Sequence, residues 1–469
     1  MADAWIVLVA VLALPGVLPA VTWAGRQPAA LFLAPLVGSV MAAVAVEFEL
    51  AVGGSLVTWY TVVALAANAA SLAAWAALRR RGGARSTRAL GPRQAPSVPS
   101  GLPSLATLLL LAGAMALPVS ALRVPMIGYD TNAIWLTHTL LVSGGHNVLH
   151  AGLQNPAYRS SNPDYPPLVP GAGALVLVWS GPSQLHDVVV LVGLLNACAL
   201  GALGAGVAAA VGTGSRPWPR ALATVAGAAV SAAGFAVGGQ YAANGYADLL
   251  WSAAAAAAVV WGLVLPRSLR ALAVAWACAV VAMLTKNEGL VAGILIAGLV
   301  ATRYALRPGT WSAGRLARAG AMVALPAIPG VAWAAIIRGM GIHDSFFGTN
   351  SAEPPAARLV PTVSAVGHHL AVLPAALAVA VVGTMTLHAR RRRLGLAGVG
   401  WLWLAAALVS GAIVATYVFG ADEIHWWLQT SVDRTTMFSQ IALLADMAVW
   451  TVVAGAGAGE RRRRRLGLT

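Results

Sequence analysis

Apolar stretches of about 15 to 25 residues recur from one end of the chain to the other, each long enough or nearly long enough to cross a hydrocarbon core about 30 Å thick as a helix. Roughly thirteen such spans can be placed. The polar turns between them are of two kinds. Arginine clusters stand at Arg79 to Arg93, Arg216/Arg220, Arg267/Arg270, Arg303 to Arg318, Arg390 to Arg393 and Arg461 to Arg465, and they alternate with turns that hold acids, amides and aromatic residues. If every arginine cluster is cytoplasmic, the chain must cross the membrane an even number of times between one cluster and the next. The pattern meets this requirement. Spans at 104–122 and 186–212 lie between the first two clusters, followed by pairs at 221–238 with 248–265, 271–285 with 288–302, 319–337 with 367–388, and 396–418 with 435–455. Three more, at 4–24, 29–46 and 54–78, precede Arg79 and leave the N-terminus outside and the C-terminus inside.

The pattern therefore predicts an all-α polytopic protein of the plasma membrane, with a long extracytoplasmic loop over 123–167 that contains interfacial helices. It divides into a three-helix membrane appendage (1–78), a cytoplasmic Arg/Pro-rich linker (79–103), a transmembrane core (104–455) and a basic cytoplasmic tail (456–469). Composition agrees: 59% of residues are hydrophobic, 10% are charged and the mean hydropathy is +0.77. The formal charge of +15 does not point to nucleic acid. All but six of the 30 Lys and Arg residues fall in cytoplasmic turns, where they orient the chain and meet anionic lipid; the six are Arg123, Arg159, Lys286, Arg338, Arg358 and Arg434. Cys198 and Cys278 sit inside spans without ligand spacing, as small core residues. A cleaved leader is not expected, because Asp3 stands where a basic segment would precede it.

Candidate chemistry gathers in the outer turns. The long loop opens with Tyr129-Asp130 ahead of a stretch, 131–138, able to form an amphipathic helix along the interface. Asp130 reads equally as a helix cap or as a general base or metal ligand at the membrane surface. Farther on, Asp164-Tyr165-Pro166-Pro167 leads into a short apolar segment ending near Trp179, which either lies in the interface or dips partway into the membrane. Lys286, the chain's only lysine, stands in an outer turn beside Glu288. The pair closes a hairpin, or the ammonium binds a phosphate; the second is favoured, since an ordinary turn needs no charge so close to hydrocarbon. Asn244 and Asp248 mark another outer turn, and His425, Asp433 and Arg434 a third, where Arg434 offers a fork-like phosphate contact at the start of the last span.

In this order of elements the chain resembles the GT-C superfamily of integral-membrane glycosyltransferases, which take sugar from a polyprenyl-phosphate carrier. The resemblance covers roughly residues 104–455 and rests on Tyr129-Asp130 opening a long outer loop, Pro166-Pro167-Leu168 beside the membrane, a multi-span core, and Asp433-Arg434 at the outer start of a late span. In protein mannosyltransferase-like and aminoarabinose transferase-like relatives, the first-loop acid serves the catalytic centre as base or by helping to hold a metal, and the resemblance carries that role to Asp130. Two departures stand out. Thr131 follows Asp130 where the mannosyltransferases have a second acid, and Tyr165 precedes Pro-Pro-Leu where the aminoarabinose enzymes have lysine.

The resemblance implies transfer of a sugar from a polyprenyl-phosphate donor to a glycan, lipid or protein acceptor at the extracytoplasmic face, by direct inverting displacement. Asp130 would be catalytic, Lys286 and Arg434 would bind the donor phosphate, and Tyr129, Asp164, Tyr165, Asn244, Asp248, Glu288 and His425 are candidates for substrate contact. A divalent metal at the acid is compatible with these residues, membrane lipids are expected neighbours, and no Gly-rich nucleotide loop is visible. The alternative is a multi-span transporter or flippase of a lipid-linked or anionic substrate, whose expected mark is polar residues near mid-bilayer. Asp446 is the clearest of these.

Overall fold

The computed structural model describes residues 5–25, 28–85, 128–211, 218–305, 312–342, 353–387 and 399–465. The span expected at 104–122 and most of the expected linker lie outside them. Among the described residues every regular element is helical. The first three are α1 (Val7–Ala24), α2 (Pro28–Val52) and α3 (Leu56–Arg85), and α3 continues into the segment expected to be linker. The loop region holds α4 (131–143), whose first six residues form a widened π-type turn, then α5 (His146–Gln154) and a 3₁₀ turn at Pro156–Ser161. After these come α6 (Leu168–Ser180), α7 (Leu185–Val211), α8 (Trp218–Gly238), α9 (Asp248–Val264), α10 (Leu269–Thr285), α11 (Asn287–Ala305) and α12 (Ala313–Gly339). The chain ends with α13 (Pro355–His369), α14 (Leu373–Leu387), α15 (Gly400–Phe419), α16 (Ile424–Thr435) and α17 (Met437–Arg465). The last helix runs on into the segment expected as a basic tail.

Eight helices among the described residues are long and apolar enough to cross a membrane: α1, α2, α3, α7, α8, α11, α12 and α15. α13 and α14, bent by 67° at their junction, would make a ninth if they form one broken span. This is a multi-pass membrane protein. Three shorter apolar helices, α6, α9 and α10, fill in among the longer ones.

The centre of the bundle is α9, with every residue from Asp248 to Leu263 buried. Its run Ala253–Ala258 combines the best helix propensity with the smallest side chain, so α7, α10, α11 and α17 can all pack against it. Small residues serve α7 in the same way. Gly201 faces the Phe32 ring of α2, Gly204 meets the backbone of Gly227 in α8, and Gly206 faces Trp261 of α9. A Cβ at Gly204 would collide with the Gly227 carbonyl. α2 is embedded against α6, α7 and α10. The 168–180 segment forms α6, which is buried against α2, α4 and α7 as far as Leu177 and exposed at its end, at Val178 and Trp179.

The two ends of the bundle differ chemically. At one, Arg270 lies against Gly25, and Arg303 donates to the carbonyls of Gly262 (2.7 Å) and Leu265 (2.8 Å), closing the C-terminus of α9 with a cation. At the other, the long loop, the turns before α9 and α11, and α16 converge. His146 of α5 donates from Nδ1 to the Glu49 carbonyl at 2.7 Å, which ties the loop to α2.

Candidate functional site

Asp248 is the first residue of α9, where the exposed N–H groups of the helix favour a carboxylate. Packing of α9 against the α10–α11 hairpin sets Lys286 beside it. Lys286 is the single extended residue between the two helices (φ −159°, ψ 158°), and this kink turns its side chain toward the bundle axis. Its Nζ donates to Asp248 Oδ1 at 2.8 Å and lies 3.1 Å from Glu288 Oε1, in the first turn of α11. The ammonium is also 5.6 Å from the centre of the Tyr165 ring, which stacks on Trp135 of α4. The Asp164 carboxylate accepts from Asn287 Nδ2, and its carbonyl accepts from Trp333 Nε1 at 2.8 Å, so the Asp164-Tyr165 segment is pinned to the hairpin and to α12.

Arg434 enters from the last turn of α16. Its Nε and Nη2 donate to the Thr430 carbonyl one turn back, at 3.2 and 2.8 Å. Nη1 donates to Asp130 Oδ2 and lies 3.6 Å from Asp248 Oδ2. Asp130 precedes the first turn of α4 and makes no side-chain capping bond, so its carboxylate is spent on Arg434 and not on the helix. Tyr246 completes this side: the Asp130 N–H donates to its hydroxyl at 3.3 Å, and its ring lies 4.9 Å from the guanidinium carbon. Asn244 acts through its backbone, the carbonyl accepting from Thr131 Oγ1 at 2.6 Å.

Asp130, Arg434, Asp248, Lys286 and Glu288 thus form one chain of alternating charge, drawn from four separate segments of the sequence. Burial by itself would weaken Lys286 as a cation, but Asp248 and Glu288 outweigh it and raise its pKa above the ordinary lysine value. Burial opposes the charge of Arg434 too, and Asp248 and Asp130 reverse the effect. Burial, reinforced by Glu288 and Asp164, pushes the Tyr165 phenol well up, so it stays protonated. Along this chain three carboxylates alternate with two cations. No group of three His, Cys, Asp or Glu side chains among the described residues is arranged to hold a metal ion.

A cleft opens beside Glu288, between α11 and α15. Val291, Ala292, Val409 and Ile413 give it apolar walls, while Asn287, Glu288 and Thr435 line its polar end. No protein-family model matches the chain, and neither the curated proteins nor the solved structures contain a significant match to it.

Two of the expected contact residues stand apart from the cluster. Tyr129 is 78% exposed. His425 is exposed at the start of α16, some 13 Å along the helix from Arg434 at 1.5 Å per residue. The tip of α16 is a helix N-terminus, capped by Glu423, whose carboxylate accepts from the His425 and Trp426 N–H groups at 2.9 and 2.6 Å. Tyr246, Asn287 and the Thr430 carbonyl belong to the site although residue chemistry had not singled them out. The aromatic and amide content of their turns was the available signal.

Proposed function

We propose that the chain is a membrane glycosyltransferase that takes a sugar from a polyprenyl-phosphate donor at the extracytoplasmic face and passes it to a hydroxyl of a glycan, lipid or protein acceptor. The observation that carries this reading is the linkage of Asp130 to Lys286 through Arg434 and Asp248, with the Glu288 end of the chain opening on the apolar cleft. A phospholipid-linked donor needs this combination: an apolar channel for the isoprenoid chain, cations for the phosphate and a carboxylate for the acceptor. In the proposed reaction Asp130 takes the acceptor proton, the acceptor oxygen bonds to the anomeric carbon, and the sugar–phosphate bond breaks with its electrons going to the phosphate. About thirteen crossings complete the proposed topology. The eight described spans, the shorter helices α6, α9 and α10, and the chemical difference between the two ends of the bundle support it.

The test is transfer from a short-chain polyprenyl-phosphate sugar by the purified full-length protein, compared with Asp130→Asn, together with mass spectrometry of the lipids that copurify with it. A polyprenyl phosphate among those lipids and turnover lost in the variant are the expected results. Near-normal transfer by Asp130→Asn would remove Asp130 as the base. One observation favours the transporter alternative: Asp446 is buried inside α17, with Oδ2 accepting from Trp403 Nε1 at 3.0 Å. Substrate uptake into proteoliposomes that is lost in Asp446→Asn would favour that reading over transfer.

A further inference from the structure

The resting site presents a difficulty that its own geometry resolves. The cation best placed for the donor phosphate, Arg434, is already paired with Asp130, the carboxylate that must be free to accept a proton. We infer that Arg434 is an exchangeable partner: the donor phosphate displaces Asp130 from the guanidinium, and so donor binding itself releases the base. This rests on the glycosyltransferase reading above and adds to it an order of events.

Three features support the exchange. The guanidinium is anchored by its own helix, Nε and Nη2 both donating to the Thr430 carbonyl, so it stays in place when a carboxylate leaves. Of its two acidic partners, Asp248 is sealed in (side chain 1% exposed) and bound to Lys286, whereas the Asp130 side chain is 22% exposed and has no capping bond to hold it. Asp130 is therefore the one that can move. Finally, of the five N–H bonds of a guanidinium, only three are used in hydrogen bonds here, one each from Nε, Nη1 and Nη2, leaving donors for a phosphate oxygen.

The charges balance along the same path. A sugar-phosphate diester carries one negative charge and Asp130 another. After transfer, Asp130 holds the acceptor proton and is neutral, and the released phosphate monoester carries two charges. The charge lost at Asp130 thus reappears on the phosphate, with Arg434 between the two. A cation fixed at that point meets the developing charge without reorganising, the condition under which electrostatic stabilisation is most effective.

Farnesyl monophosphate, titrated into the detergent-solubilised full-length protein, separates the outcomes. Exchange predicts that Asp130→Asn binds it about tenfold more tightly than wild type, because a competing anion has been removed from Arg434. Arg434→Met should bind it weakly, and adding Asp130→Asn to Arg434→Met should bring no gain. Asp433→Asn removes an equal charge that bonds to the Arg434 backbone N–H and the Tyr241 hydroxyl but not to the guanidinium, and it should change affinity far less. Thermal unfolding of each variant confirms that the folded state is being compared. Wild-type binding with Asp130→Asn equal or weaker would overturn the exchange and leave the donor reading standing. Equal tightening by Asp433→Asn would reduce it to general electrostatics. Absence of wild-type binding would overturn both the exchange and the donor reading.

Discussion

Asp248→Asn tests the electrostatic design of the centre most directly. The carboxylate is fully buried, holds Lys286 at 2.8 Å and stands 3.6 Å from Arg434. Asparagine keeps the shape and removes the charge. Removing one member of a buried ion pair costs about 3–5 kcal/mol, chiefly because its partner is left charged without compensation. Here Glu288 at 3.1 Å still faces Lys286, and Asp130 still faces Arg434. The loss should therefore fall near the lower limit, about 3 kcal/mol. That is a large share of a typical folding stability of about 5–15 kcal/mol. Unfolding in mixed micelles with rising SDS, followed by circular dichroism, would measure it. Lys286→Met should be destabilising by itself, and the double variant should be clearly more stable than the sum of the two losses predicts, since neither charge is then left uncompensated. An Asp248→Asn protein that unfolds with wild-type SDS dependence, or single losses that simply add, would refute this account of the cluster.

Other expectations can be checked independently. Lys286→Met should weaken farnesyl monophosphate binding by roughly ten- to a hundredfold, the equivalent of one charge-assisted hydrogen bond, as read by the same titration. Burial lowers the His138 imidazole to about 4, below its ordinary 6.5, so the folded state disfavours its protonation. Stability should be full above pH 6.5 and fall as the pH drops toward 4, by roughly 3 kcal/mol over the whole window. His138→Gln keeps a donor for Ser161 and should flatten that slope; an unchanged slope would assign the acid sensitivity to another group. A cysteine at Ala157 should react with an impermeant thiol reagent in intact cells while one at Ser312 stays unlabelled, and the opposite pattern would invert the topology. Gly204→Leu should abolish the close α7–α8 crossing and lower the yield of folded protein, measured by size-exclusion chromatography.

The all-helical, multi-span character was legible because hydrophobic length is a local property of a sequence, whereas the break between α13 and α14 inside the single span expected at 367–388 was not. Lys286 also stood out locally, as a lone cation beside hydrocarbon. Its partners were legible only in part. Glu288 is two residues away and was an evident contact, but the nearer Asp248 lies 38 residues back, and it meets Lys286 only because α9 packs against α10 and α11. Asp130 and Arg434 are 304 residues apart, a pairing set by helix packing alone. His425 shows the converse case. Its turn is polar and close in sequence to Arg434, yet a helix converts nine residues of separation into more than two turns of distance. The alanine run of α9 gave no chemical signal, although it is what allows four helices to meet around Asp248.

A chain with one lysine has a single ε-amine, and that amine is at the centre of the site, within the reach of two carboxylates. Apart from the terminal amine, amine-directed chemistry has no other target in this protein. Reductive methylation with isotope-enriched formaldehyde would therefore place one magnetic-resonance probe at the cluster without any engineered residue. Because Lys286 is only 4% exposed, the rate at which its amine is modified would measure how often the cluster opens, and a bound anion would register as a change in that rate.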